Sequence, residues 1–313
     1  MLNQLRHSLV LLCLSCVSCA RPSPEPAFTL HQVGPNVFAA IHNARSATPA
    51  WANAGFVIGD DGVAVIDTFM NAATATQLLS EIRARTKLPV RFVVNTHYHL
   101  DHVAGNGVFA DAGAVVVADR HVRDWIHTEN LRLLGPQITA EQKSLTEAFV
   151  APTVGYEQGM NLYLGSRQIQ VRSLPGHTGG DSIVVIPDAK VVFGGDLLFH
   201  DMLPTLIDAS TQPLIATLDL LLTRNADYTF VPGHGEVGQT KEVAAFRDYL
   251  MMLLTLVREA QAQGRSGDAV AEAVMPALKA QYGHMEFFDG IAKQNVLEID
   301  AELRGTKRIP PTH

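Results

Sequence analysis

The stretch Thr96-His97-Tyr98-His99-Leu100-Asp101-His102 follows directly on an apolar run, Val90 to Val94, that reads as a buried strand. Donors at H-x-H-x-D-H spacing put imidazole and carboxylate groups at the carboxyl end of that strand, converging on one small volume. Such a set suits zinc and related divalent metals, iron and manganese among them. A lone histidine is more often a satisfied core or surface residue, but four potential ligands packed into six residues reverse that expectation.

Working outward, three later segments each set a ligand type in a glycine-rich turn at the end of an expected strand. They are Gly176-His177-Thr178-Gly179-Gly180-Asp181, Phe193-Gly194-Gly195-Asp196 and Pro232-Gly233-His234-Gly235. Glycine lets the backbone bend to present a side chain there. Singly each segment is weak; in this order after H-x-H-x-D-H they are strong. His121, His127, His200 and His284 lack motif spacing and read as surface or structural, with His200 a second-layer candidate near Asp196.

The chain has 313 residues, a net charge of −7, 47% hydrophobic and 18% charged residues, which suits a globular protein with a large core. Its basic residues are scattered among acids, a poor footing for nucleic acid. The 3 cysteines, Cys13, Cys16 and Cys19, all fall in the first twenty residues. The body therefore has no disulfide framework and no thiolate nucleophile or metal ligand.

Met1 to Ala20, with Arg6 before the apolar Leu9 to Leu14, reads as a secretory signal too short to span a bilayer. Two endings compete, cleavage after Ala20 and a lipoprotein box that would leave a lipidated Cys19, the one expected link to a membrane. Residues 21–27, rich in proline, read as a spacer. Strands are expected at Asn36 to His42, Gly55 to Ile58, Val63 to Asp67, Asn161 to Leu164, Gln168 to Leu174, Ser182 to Ile186, Lys190 to Phe193 and Tyr228 to Val231. Helical patterning covers Ala72 to Thr86 and Pro213 to Leu222, and then Lys241 to Gln263, Asp268 to Tyr282 and Phe287 to Arg304 in a helical tail. Strands followed by helices, twice over, point to two packed sheets with helices outside. Met251 to Leu254 reads as packing rather than a ligand groove.

From Phe28 to Gly238 the motifs resemble those of the metallo-β-lactamase-fold hydrolases, the Asp67-Thr68 pair included. The resemblance implies an α+β fold, a four-layer αββα sandwich over residues 28–240 with a C-terminal helical extension over 241–313. It implies two zinc ions: His97, His99 and His177 on the first, Asp101, His102 and His234 on the second, and Asp196 between them. Several zinc β-lactamases carry a cysteine where this chain has Asp196. Aspartate there is similar to the glyoxalase II-like and quinoprotein-relay-type (SoxH-like) metallohydrolases, with Gly179 departing from the proline that many relatives have.

The activity so implied is that of an exported dinuclear zinc hydrolase. A hydroxide shared by the metals would attack the carbonyl of a small-molecule ester, thioester or lactone, with Asp101 orienting it as the catalytic carboxylate. The alternatives are a periplasmic metallo-β-lactamase, an iron-dependent persulfide dioxygenase-like enzyme, and a non-catalytic metal-binding partner of a periplasmic oxidation system. Loops Ser46 to Trp51 and Met202 to Leu206 are expected to overhang the metals, with Trp51 either there or in the core. Oligomeric state has no signature in the sequence.

Overall fold

Strands that alternate buried side chains on both faces can be covered only by further layers. Val63 and Val65 face one apolar cluster while Ala64 and Ile66 face another; Ile183 and Val185 diverge in the same way from Val184 and Ile186. The computed structural model, which describes residues 25–48 and 50–308, satisfies this with two sheets and two helical layers. The leader and most of the spacer lie outside the described residues.

The first sheet runs in sequential order through β1 (Phe28–Gly34), β2 (Val37–His42), β3 (Ala54–Ile58), β4 (Val63–Ile66), β5 (Val90–Val94), β6 (Val115–Asp119) and β7 (Val154–Tyr156). The second comprises β8 (Gly159–Leu164), β9 (Arg167–Ser173), β10 (Ser182–Ile186), β11 (Val191–Phe199) and β12 (Thr229–His234), in the order β12-β11-β10-β9-β8. One apolar cluster, including Val57, Val94, Ile169 and Phe193, fills the space between the sheets. Helices α1 (Ala72–Arg85) and α3 (Asn106–Asp111), the latter following the single turn α2 (Leu100–Val103), cover the first sheet through Leu78, Ile82 and Phe109. This is the expected αββα order.

The outer face of the second sheet is covered by α7 (Thr211–Arg224), α8 (Thr240–Ala262), α9 (Asp268–Tyr282) and α10 (Phe288–Leu303). Leu214, Leu253, Val274 and Val296, one from each helix, share a single buried cluster with Val192 of β11. The C-terminal helices thus complete the fourth layer. Leu253 and Leu254 are buried, as packing requires, while Met251 at the same segment is exposed.

Sequence patterning places the remaining elements less well. The expected elements do not include β1, β6, β7, α3, or the short helices α4 (Arg120–Trp125), α5 (Thr128–Leu134) and α6 (Ala140–Glu147), which connect β6 to β7 within the first sheet. β11 extends to Phe199, beyond the expected end at Phe193. Its irregular pairing with β12 around Gly195 is what lets a strand continue through Gly-Gly-Asp and still turn Asp196 toward the site.

In each sheet the strands switch from antiparallel to parallel pairing where the site lies. β4 and β5 are parallel, as are β11 and β12. Side chains at the carboxyl ends of parallel strands have no continuing partner and are free to converge on a ligand, the geometry common to open α/β sheets.

Candidate metal centre

All seven sequence-derived donors meet at that edge. His97, His99, His177 and Asp196 form one group whose ligand atoms lie within 4.8 Å of one another, and Asp101, His102 and His234 form a second. Asp196 stands between them. Its Oδ2 lies 3.2 Å from His177 Nε2 and 3.8 Å from His97 Nε2, while its Oδ1 lies 3.1 Å from His102 Nε2 and 3.4 Å from His234 Nε2. Asp101 Oδ2 is 3.5 Å from His234 Nε2 and 4.0 Å from His102 Nε2.

Burial and close approach fix the central carboxylate. A Cβ added to Gly233 would lie 2.0 Å from Asp196 Oδ1, so only glycine lets β12 pass there. Gly179 has a comparable reason: a Cβ would meet the Trp125 indole at 2.6 Å. The departure from proline therefore makes room for a ring packed under the His177 turn.

Outside the donors sits a layer that sets ring orientation. Asp67 accepts from Thr96 N at 2.8 Å and Thr96 Oγ1 at 2.7 Å, and its Oδ2 is 2.8 Å from His102 Nδ1. Asp67 holds a left-handed backbone, φ 56°, which aspartate tolerates better than most side chains. Asp181 accepts from the backbone N–H groups of His177 and Thr178, each at 2.7 Å. Burial pushes its carboxyl up to about 7, although those hydrogen bonds work against the rise.

Sequence spacing did not mark the third member of this layer, Asp208. It accepts from Tyr98 Oη at 2.7 Å, pairs with Arg132, and lies 3.4 Å from His99 Nε2, which leaves His99 Nδ1 facing His177 Nε2 at 3.0 Å. Burial opposes its ionisation, yet bonds from His99 and Tyr98 and the Arg132 charge outweigh that and hold the carboxyl well below the usual range. The available sign was a single charged residue in an otherwise uncharged stretch between Asp201 and Asp219. His200 is not part of this layer: its Nδ1 faces the Glu236 carbonyl at 2.8 Å and its Nε2 the Asp201 carboxylate at 3.5 Å.

The donor chemistry fits divalent cations. His97 Nε2, His102 Nε2 and Asp196 Oδ1 are buried without hydrogen-bond partners. Buried polar atoms are rarely left so unless an ion or water completes them. Each ring also has its other nitrogen occupied in three cases, His97 by Thr96, His99 by Asp208 and His102 by Asp67, the arrangement that orients metal-ligating histidines. Burial disfavours charge on His97 and lowers its pKa well below the usual value. On His102 burial acts the same way, but Asp196, Asp67 and Asp101 outweigh it and raise the pKa.

A cleft of about 420 Å³ opens beside His234. Trp51, 47% exposed, and Met202 line it, so both expected overhanging loops reach the cleft through one residue each. Leu203 and Leu206 instead enter the helical core.

A family model described as the metallo-beta-lactamase superfamily matches residues 48–234. Hydroxyacylglutathione hydrolases of Brucella ovis and Brucella abortus are each 30% identical over 143 residues, 46% of this chain and 47% of theirs. The chain thus matches about half the length of these curated relatives. Among solved structures, a metallo-beta-lactamase from Pontibacter korlensis aligns over 72% of this chain and 99% of its own, with TM-score 0.59 and 22% identity. A double mutant of the sec-alkyl sulfatase PisA1 aligns over 89% of this chain and 50% of its own, with TM-score 0.72 and 20% identity.

Proposed function

This chain belongs to the metallo-beta-lactamase superfamily, and from that premise we propose that it is a dinuclear zinc hydrolase of carboxylic esters, thioesters or lactones. One observation carries the reading: the two oxygens of Asp196 face two separate sets of histidines. A carboxylate so placed can serve two cations and leaves no set without an anionic donor.

His97, His99 and His177 would hold one ion, and Asp101, His102 and His234 the other. Zinc, when bound, supplies Lewis acidity toward a carbonyl oxygen and makes water acidic near neutral pH. The chain does the rest. Asp101, the donor carboxylate with 20% side-chain exposure, lies on the open side of the site; its Oδ2 faces His102 and His234, which leaves Oδ1 to accept a proton from an attacking water and hold that water in line. Asp67 and Asp208 keep His102 and His99 in the ring orientation that turns a lone pair inward. Phe199, buried, stacks on the His234 ring with centroids 5.1 Å apart and keeps that side of the floor apolar. No serine or cysteine nucleophile is needed. We propose export as well, on the apolar leader that ends near Ala20.

The test is metal quantification on purified protein, followed by assay of the zinc-loaded protein against esters, thioesters, lactones and a chromogenic cephalosporin. Two zinc ions per chain with carbonyl-ester or thioester turnover supports the reading. Preferential cephalosporin turnover, iron as the native metal, or no hydrolysis by metal-replete protein would replace it with one of the alternatives.

A further inference from the structure

The floor of the site accounts for chemistry but says nothing of which acyl compound reaches it, and the cleft beside His234 is where that is decided. Its rim carries four carboxylates, Glu25, Asp201, Glu236 and Glu286, against one guanidinium, Arg45. Glu25 accepts from Asn43 Nδ2 at 3.3 Å and Asp201 lies 3.5 Å from His200 Nε2. Among the described residues none of the four is paired with a lysine or arginine. His42, also on the wall, has its pKa lowered by burial and by His234, with Asp101 acting the other way.

The fold holds these charges in place. Glu286 sits in the turn between α9 and α10 and is tied to the loop after β11 through Glu286 N to Asp201 O and Leu203 N to Glu286 O, both 3.1 Å. Glu25, Glu236 and Glu286 all lie outside the span matched by the superfamily model, residues 48–234, so the acidic rim belongs to the parts of this chain that flank the shared domain. Two divalent cations at the floor would be partly offset by Asp101 and Asp196. Beyond the scissile bond, a substrate meets the rim and the exposed Trp51 ring.

We propose that this cleft selects acyl substrates whose group beyond the scissile bond is uncharged or cationic, and disfavours those carrying a carboxylate there. The inference rests on the hydrolase reading and narrows it. Surface charges of one sign at a cleft mouth raise the local concentration of the opposite sign and act chiefly on encounter, so the selection weakens with salt. An aromatic ring among the carboxylates offers a cationic or apolar group a face to lie on.

The experiment has two readouts on the zinc-loaded protein. Three esters of one acyl group, ending in trimethylammonium, tert-butyl and carboxylate, are compared by kcat/KM at low and high salt. The carboxylate ester is expected to be worse than the neutral one by about tenfold at low salt, with the gap closing as salt rises. The second readout needs no turnover. The chain has 2 tryptophans, and Trp125 is buried at 3% exposure while Trp51 stands in the cleft. With each ion's quenching taken relative to its quenching of free N-acetyltryptophanamide, caesium should therefore quench the emission more than iodide does, and the combined Glu236→Gln and Glu286→Gln variant should narrow both that difference and the ester ratio. Equal or stronger quenching by iodide, or a carboxylate ester turned over as well as the neutral one, overturns the proposal. Absence of turnover for all three esters and for the thioesters and lactones with both metals bound overturns the hydrolase reading and the substrate class with it, while quenching still decides the sign of charge in the cleft.

Discussion

The two halves of the metal centre are built differently. Around His97, His99 and His177 every donor is buried, and Thr96, Asp208 and Asp181 brace the rings or the backbone that carries them. In the other half only His102 is buried, braced by Asp67, while Asp101 and His234 are partly exposed, His234 on the wall of the cleft. A buried, braced set is preorganised and loses little freedom on binding an ion; a half-open set leaves room for substrate. The contrast assigns retention of metal mainly to the first half and access mainly to the second.

The largest expected effect belongs to the one residue shared by both halves. Asp196→Ala should lower occupancy of both metals and abolish most turnover; full dinuclear content by elemental analysis would sink the bridging assignment. His234→Ala should instead empty chiefly the open half, leaving close to one ion per chain, and equal loss from both would erase the contrast. Asp208→Asn keeps a partner for Tyr98 but removes the charge facing His99 and Arg132. It should weaken retention in the buried half by about 10–100-fold in chelator competition, whereas Asp67→Asn should act on the half that contains His102. If the two variants release metal with the same profile, the bracing is not specific to each half.

Two smaller effects sharpen the picture at its edges. Gly233→Ala forces β12 against Asp196 and should cost about 1–3 kcal/mol by chemical denaturation. Arg308 donates to both oxygens of Glu129 at 2.7 Å, and Glu129 also pairs with Arg132 beside Asp208. Because Arg308 is half exposed, Arg308→Ala should cost only about 0.5 kcal/mol. Burial works against ionised Glu129, but the two guanidinium groups outweigh it and lower its pKa. A lowered carboxyl pKa contributes stability above the usual carboxylate range and loses it as pH falls through the folded value. The difference between wild type and Arg308→Ala should therefore shrink on acidification.

Much of the fold is legible in the amino-acid sequence. The strands Val90–Val94 and Ser182–Ile186 and the helix Asp268–Tyr282 have the bounds their patterning suggests. Each is a short, mostly apolar run rich in β-branched residues, or a helical repeat between glycines, so local sequence suffices. The stretch from Asn106 to Tyr156 is not legible in this way. Its six-to-eight-residue helices are too short for periodicity to show, and β6, Val115–Asp119, is a five-residue run whose place as a strand is settled by pairing with β5 and β7.

The donors themselves are properties of the sequence, because ligand chemistry needs particular side chains and those cluster in short motifs at strand ends. Which oxygen of Asp196 faces which histidine, which carboxylate braces which ring, and which charges rim the cleft were decided only by tertiary structure. Asp208 meets His99 across 109 positions of chain, and Glu286 meets Asp201 through the turn of a helical pair. Contacts of that range leave no spacing to read. They arise when the two sheets pack, and they set how firmly the buried half holds its metal and what the open half admits.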